Sequence, residues 1–179
     1  MLSAKLVLEE LKASRVTFCV GLADTALVAL TTLLDHDQAI RYIPVTREGE
    51  AFALASGVWM GGQNPVILVQ NTGLLESGDA LRGTAQRMRV PLLCLITYRG
   101  YSDVQGQKRR RLSPLQSADE LSKADLDSAA LFTEPTLKAW GVPFGFLGSD
   151  ADLPKIRHSF NRAQKESRPV ALLVTNTMS

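Results

Sequence analysis

Cysteine, histidine and aromatic residues are scarce in this chain, and several familiar catalytic signatures are missing. Its two cysteines, Cys19 and Cys94, lie inside the apolar runs VTFCV and PLLCLI. Without CxxC or Cys/His spacing they read as reduced core residues, which excludes a disulfide framework and a redox pair. His36 and His158 stand far apart, each among charged helical residues, so no metal-ligand spacing is present and solvated helix faces account for both. No apolar run approaches the ~18 residues that cross a bilayer. The opening MLSAKLVLEELKASRV carries acids and helical periodicity in place of a secretory leader, and a cytoplasmic location is expected. Lys+Arg 20 against Asp+Glu 18 leaves a net charge of +2, too weak a field to suggest a nucleic-acid partner. GxGxxG, GxxxxGK[ST] and GxSxG are all absent, which removes the common phosphate cradles and the nucleophile elbow. The glycines of GVWMGG fall at a helix end, where they act as terminators.

What is present is alternation. The chain has 179 residues and 45% hydrophobic content, enough for a sizeable core and, by length, one domain over 1–179. Amphipathic Ser3 to Ser14 leads to the strand-like VTFCVGL, residues 16 to 22. TALVALTTLLDH reads as a helix with Asp24 or Thr25 at its N-cap, followed by the short strand AIRYIPV. A helix from Arg47 to about Gly61, the strand PVILVQ, a helix from about Leu75 to Arg89 and the strand PLLCLIT come next. Residues 98 to 130 are polar and weakly periodic, and they read as an extended loop or excursion. The pattern resumes with FTEPTLKAWG, the strand VPFGFLG, the helix DADLPKIRHSFNRAQKES and the strand PVALLVTN. Uniformly apolar strands separated by helices predict an α/β fold: a doubly wound, mainly parallel six-stranded sheet covered by helices on both faces. Ligands in such sheets bind beyond the carboxyl ends of the strands. The loops of interest are therefore Gly21 to Thr25, Thr46 to Glu50, Gln70 to Leu74 and Thr97 to Tyr101.

The most informative stretch is TREGEAFALASGVWMGGQNPVILVQNTG, residues 46 to 73. Taken alone, Glu48 and Glu50 serve the helix macrodipole and the small residues Ala51 to Gly57 serve close packing on the sheet. The order of elements adds to this. A carboxylate at a helix start, a glycine-terminated helix, a buried strand and a QNTG turn together resemble the pyrimidine-binding domain of thiamine diphosphate-dependent decarboxylases. The likeness is greatest to the sulfopyruvate decarboxylase alpha subunit and phosphonopyruvate decarboxylase branch. GLADTAL resembles that branch's G-V-P-D-S-L loop, PLLCLITYRG resembles its P-L-L-L-L-x-[ST]-x-R-G, and TEPTLKAWGVPF matches the stretch leading to the fifth strand.

The resemblance implies that Glu48 hydrogen-bonds N1′ of the aminopyrimidine and so promotes removal of the thiazolium C2 proton. It implies cofactor contacts from Glu48, Gln70, Asn71, Thr72 and Gly73, and substrate contacts from Asp24, Thr25 and Arg99, with no metal ligand on this chain. The diphosphate and Mg2+ of thiamine diphosphate are held in the family by a GDG motif followed by NN. Here SGDALRG, residues 77 to 83, is the nearest look-alike and lacks the second glycine. The implied partner is a diphosphate-binding beta subunit carrying GDG and NN, with the cofactor shared in a hetero-oligomer, and with self-association of the isolated chain through an apolar outward side of the Glu48 helix that includes Phe52, Trp59 and Met60. The implied activity is that of a two-chain 2-keto acid decarboxylase, with sulfopyruvate or phosphonopyruvate as substrate.

Two departures stand out. Where the family has Q-N-S-G-L-G-N this chain has QNTGLLES, and its acidic, His-containing segment after R-G is replaced by residues 102 to 130 with the basic run Lys108 to Arg111. That run reads as a solvated surface, or alternatively as a lid whose arginines engage a sulfonate or phosphonate. The competing functional reading is a catalytically silent regulatory or small-ligand-binding domain that retains the same fold.

Overall fold

The computed structural model describes residues 1–22, 24–102 and 127–179. The basic run Lys108 to Arg111 and most of the expected excursion lie outside the described residues. Among the described residues six strands form one sheet: β1 (Phe18–Gly21), β2 (Arg41–Pro44), β3 (Pro65–Gln70), β4 (Leu93–Thr97), β5 (Phe144–Leu147) and β6 (Val170–Val174). Their spatial order is β2-β1-β3-β4-β6-β5 and every pairing is parallel.

The helices are α1 (Ala4–Ala13), α2 (Val28–Asp35), α3 (Glu48–Met60), α4 (Asn71–Glu76), α5 (Gly78–Ala80), α6 (Ser128–Ala139) and α7 (Pro154–Glu166), and a π-turn over Leu81–Gln86 continues α5. The continuous apolar strands are explained by alternation between two cores. Cys19, Val66, Leu68, Leu93, Leu95 and Leu172 pack on one face with α1, α2 and α7. Val20, Ile67, Val69, Cys94, Ile96 and Leu173 pack on the other with α3 and α6. Both thiols are buried. Burial pushes the Cys94 thiol up to about 12 and raises Cys19 as well, which keeps both protonated and inert.

Local signals explain most boundaries. Ser3 caps α1 by accepting from Leu6 N. Asp24 caps the short 3-10 turn Thr25–Leu27 that precedes α2. Three expectations are corrected. The helix expected from about Leu75 begins at Asn71, directly after β3, so QNTG is a strand end and a first helical turn rather than a loop. The end of the stretch 98 to 130, expected as an extended loop or excursion, is helical from Ser128, because Asp127 caps the helix by accepting from Ala129 N at 3.1 Å. Phe52, expected to face outward, is fully buried. Residues Ala51, Phe52, Ala55 and Ser56 form the inner face of α3, while Leu54 and Met60 are 39% and 66% exposed.

Candidate active site

From β1 the sheet is extended on one side by β2 and on the other by β3, so the strand order reverses between β1 and β3. A cleft of about 320 Å³ opens at the carboxyl ends of β1, β3, β4 and β6, as expected for this class of sheet. Asp24, Thr25, Gln70 and Arg99, all singled out in the sequence, line it together. Asp24 is the hub. Its Oδ2 accepts from Gln70 Nε2 at 2.6 Å and from Thr97 Oγ1 at 2.7 Å, and its Oδ1 accepts from Ala26 N at 3.1 Å. Three donors on one carboxylate tie the ends of β1, β3 and β4 together and leave it little capacity for further donors. Arg99 is the cation among the described lining residues; its Nε is 2.8 Å from Asp127 Oδ2 and its side chain is 62% exposed. The guanidinium thus has further donors to offer an anion.

The QNTG residues divide their work. Thr72 Oγ1 donates to Gln70 Oε1 at 2.7 Å, which fixes the orientation of that amide. Asn71 is fully buried: its Nδ2 donates to Arg99 O at 3.0 Å and Thr133 Oγ1 at 3.1 Å, and its Oδ1 accepts from Thr72 N. All its hydrogen-bonding groups are therefore engaged by protein, and it braces the site from within. Gly73 faces α3, and a Cβ there would overlap Cγ, Cδ and Oε1 of Glu48. Only a residue without a side chain lets the Glu48 carboxylate lie against the first turn of α4.

Glu48 and Glu50, alike in sequence, differ in structure. Glu50 Oε2 accepts from Thr46 N at 3.1 Å, Thr46 Oγ1 at 3.1 Å and Arg47 N at 3.3 Å. Those bonds, the Thr46 backbone N–H foremost, hold its carboxyl below its ordinary range. Glu48 is half-buried and has no side-chain hydrogen bond among the described residues. It does not line the cleft but meets the same turn through Gly73.

Sequence reasoning overlooked several participants. Thr97, the polar end of an otherwise apolar strand, opened one of the loops of interest, but its bond to Asp24 was not expected. Thr175, Asn176 and Thr177 line the cleft after β6, where the carboxyl-end rule applies as much as after β1 to β4. Glu76 accepts from Gly49 N at 3.0 Å and from Arg47 Nη2, and Thr133 supports Asn71. Gly78 of the GDG look-alike lies against Trp140: a Cβ would come to 2.9 Å from its ring. Its smallness serves packing, and residues 77 to 83 are helical or helix-flanking rather than an open cradle. Among the described residues no group of three or more His, Cys, Asp or Glu side chains is placed to hold a metal, and no helix is long and apolar enough to cross a membrane.

Parallel sheet, switch-point cleft and helices on both faces define a doubly wound α/β domain. The N-terminal TPP binding domain model of thiamine pyrophosphate enzymes matches residues 1–123, and the chain belongs to that family. It is 30% identical over 169 residues to a phosphonopyruvate decarboxylase of Streptomyces hygroscopicus, covering 86% of this chain and 42% of that one. It is 33% identical over 98 residues to sulfopyruvate decarboxylase subunit alpha of Methanothermobacter thermautotrophicus, covering 55% of this chain and 59% of that one. The corresponding subunit of Methanocaldococcus jannaschii is 34% identical over 90 residues, 50% of this chain and 53% of that one. The chain spans about half the length of the curated relatives it matches.

Proposed function

We propose that this chain is the pyrimidine-binding, alpha-type subunit of a thiamine diphosphate-dependent 2-keto acid decarboxylase that acts on sulfopyruvate or phosphonopyruvate and is active only with a partner chain. One observation carries the reading: of two acids in the first turn of α3, Glu50 is consumed by capping while Glu48 stands over Gly73 with no hydrogen bond among the described residues. A half-buried, uncommitted carboxylate suits an aminopyrimidine ring nitrogen, so the pyrimidine half of the cofactor fits this chain. The diphosphate half does not, because Gly78 of the GDG look-alike is filled by Trp140 and residues 77 to 83 are helical or helix-flanking. In this reading the GDG and NN motifs and the Mg2+ belong to a beta chain, residues 1–179 form one pyrimidine domain, and the complex works in the cytoplasm.

Bound thiamine diphosphate supplies the electron sink that decarboxylation of a 2-keto acid requires. Glu48 holds or shares a proton at the pyrimidine N1′, and its helix-mouth position fixes the direction of that hydrogen bond. Gly73 lets the carboxylate sit against α4. Gln70 presents an amide to the cleft, oriented by the Thr72 hydroxyl, and Asn71 braces the same turn. Arg99 offers charge to the sulfonate or phosphonate, and Thr25 and the Asp24 hub shape the wall beside it. The substrate class rests on the relatives' names and on that cation.

The test is reconstitution with a candidate beta chain and measurement of carbon dioxide release from sulfopyruvate and phosphonopyruvate. Thiamine-dependent turnover of either one that Glu48→Gln reduces by about 10² to 10⁴ supports the proposal. A stable complex inert toward both indicates a silent regulatory domain instead.

A further inference from the structure

We propose that Glu76 is the positioning residue for Glu48: its carboxylate reaches from the end of α4 to hold both chain neighbours of Glu48 and keeps the Arg47 guanidinium away from it. The inference rests on the reading of Glu48 given above. Helix α3 opens without a capping side chain of the usual kind, since its N-cap is Arg47. The first-turn N–H groups of a helix have no intrahelical acceptor, and Glu50 serves Thr46 and Arg47, outside the helix. The N–H of Gly49 is answered from another helix, by Glu76 Oε2 at 3.0 Å. The other oxygen, Oε1, accepts from Arg47 Nη2. One carboxylate thus holds residue 47 by its side chain and residue 49 by its backbone, and Glu48 lies between them.

Charge makes this arrangement consequential. Arg47 interacts most strongly with Glu76, then with Glu50 and Glu48. Freed from Glu76, the guanidinium would be left among the two remaining carboxylates, one of them the residue next to it in the chain. An Arg47–Glu48 pair would hold Glu48 ionised and occupied. That state is the opposite of what a group exchanging a proton with a ring nitrogen needs. The Arg47 hydrogen bond, foremost, holds the Glu76 carboxyl below its ordinary value of 4.5, while partial burial and, less, the Glu50 charge oppose this. The clamp is therefore complete above that value and is lost as pH falls through the lower folded-state value. Glu76 also stands where the family's motif ends in Asn, so the departure QNTGLLE carries its own clamp.

The experiment uses Glu76→Gln, which keeps side-chain volume at a surface position, together with Glu76→Ala, Arg47→Gln/Glu76→Gln and Glu48→Gln. Amide hydrogen exchange on the chain alone reports the clamp. Exchange at the Gly49 amide should accelerate by about tenfold in Glu76→Ala, which removes both acceptor oxygens where Gln would keep one, and an unchanged Gly49 rate overturns the clamp. In the reconstituted complex, deuterium exchange at cofactor C2 should slow by between about 10- and 100-fold in Glu76→Gln. It should recover in the double variant, where no guanidinium remains to occupy Glu48. A slow Glu76→Gln that the second substitution leaves slow overturns the shielding of Glu48. If Glu48→Gln exchanges at the wild-type rate, the reading of Glu48 fails instead, and the Gly49 amide still decides the clamp.

Discussion

At Gly73 the absence of one methyl group determines how closely α4 and the Glu48 side chain approach. Gly73→Ala inserts a Cβ into the space held by Cγ and Cδ of Glu48, so the acid must swing away or α3 must shift. Overpacking of this kind costs about 1–3 kcal/mol, and a catalytic group displaced by ~1 Å loses about 10² in rate. The expected result is a modest fall in melting temperature together with a loss of decarboxylation well beyond what the unfolded fraction explains; a stable, fully active variant would remove Gly73 from the account. Legibility at this scale was uneven. Glu48 and Glu50 both read as first-turn acids, and only their partners distinguish them, because those partners, Thr46 N, Arg47 N and Gly73, are set by where β2 ends and where α4 begins. Asp24 was legible as a cap, but its tie to Thr97, 73 residues away, depends on strand register that periodicity does not encode. Gly78 resembled a cradle glycine until Trp140 occupied its face.

Helix α3 shows why element faces were harder to read than element positions. Its boundaries, Glu48–Met60, fall within a residue of the expected Arg47 to Gly61, because the acids and the double glycine mark both ends. Its orientation was misread at Phe52. From Ala51 to Gly62 the chain carries no charged residue, so no polar stripe marks the outer side, and burial was decided by the sheet beneath. The outer face, with Leu54 at 39% and Met60 at 66% exposure, is an apolar surface of the kind that subunits cover. Leu54→Arg with Met60→Glu, both at exposed positions, should leave the isolated chain folded and weaken assembly with a beta chain by at least about tenfold, read by equilibrium sedimentation or light scattering. Undiminished assembly would assign the contact to another face. The helix expected from about Leu75 shows a different failure: its N-cap is Gln70, which makes no capping side-chain bond, and the helix starts at Asn71 because β3 ends at Gln70 and the buried Asn71 amide bonds Arg99 O and Thr133.

The molecule as a whole is a parallel sheet whose switch between β1 and β3 sets a cleft beside a helix-mouth carboxylate. Alternating apolar runs and capped helices made that architecture readable, including the six strands of the described residues; β3, β4 and β6 are buried along nearly all their length, while β2 and β5 are only partly covered. The strand order, with β6 inserted between β4 and β5, was not readable, and with it the contribution of Thr175 to Thr177 was missed. The central claim is that Glu48 exchanges a proton with the pyrimidine ring of thiamine diphosphate in a site completed by another chain. Deuterium exchange at cofactor C2 in the reconstituted complex tests it most directly, because it reports that proton transfer apart from substrate binding. Glu48→Gln keeps size and hydrogen-bonding capacity and should slow the exchange by about 10² to 10⁴, whereas Glu50→Gln, at the capping acid, should stay near wild type. Equal rates in wild type and Glu48→Gln would contradict the account.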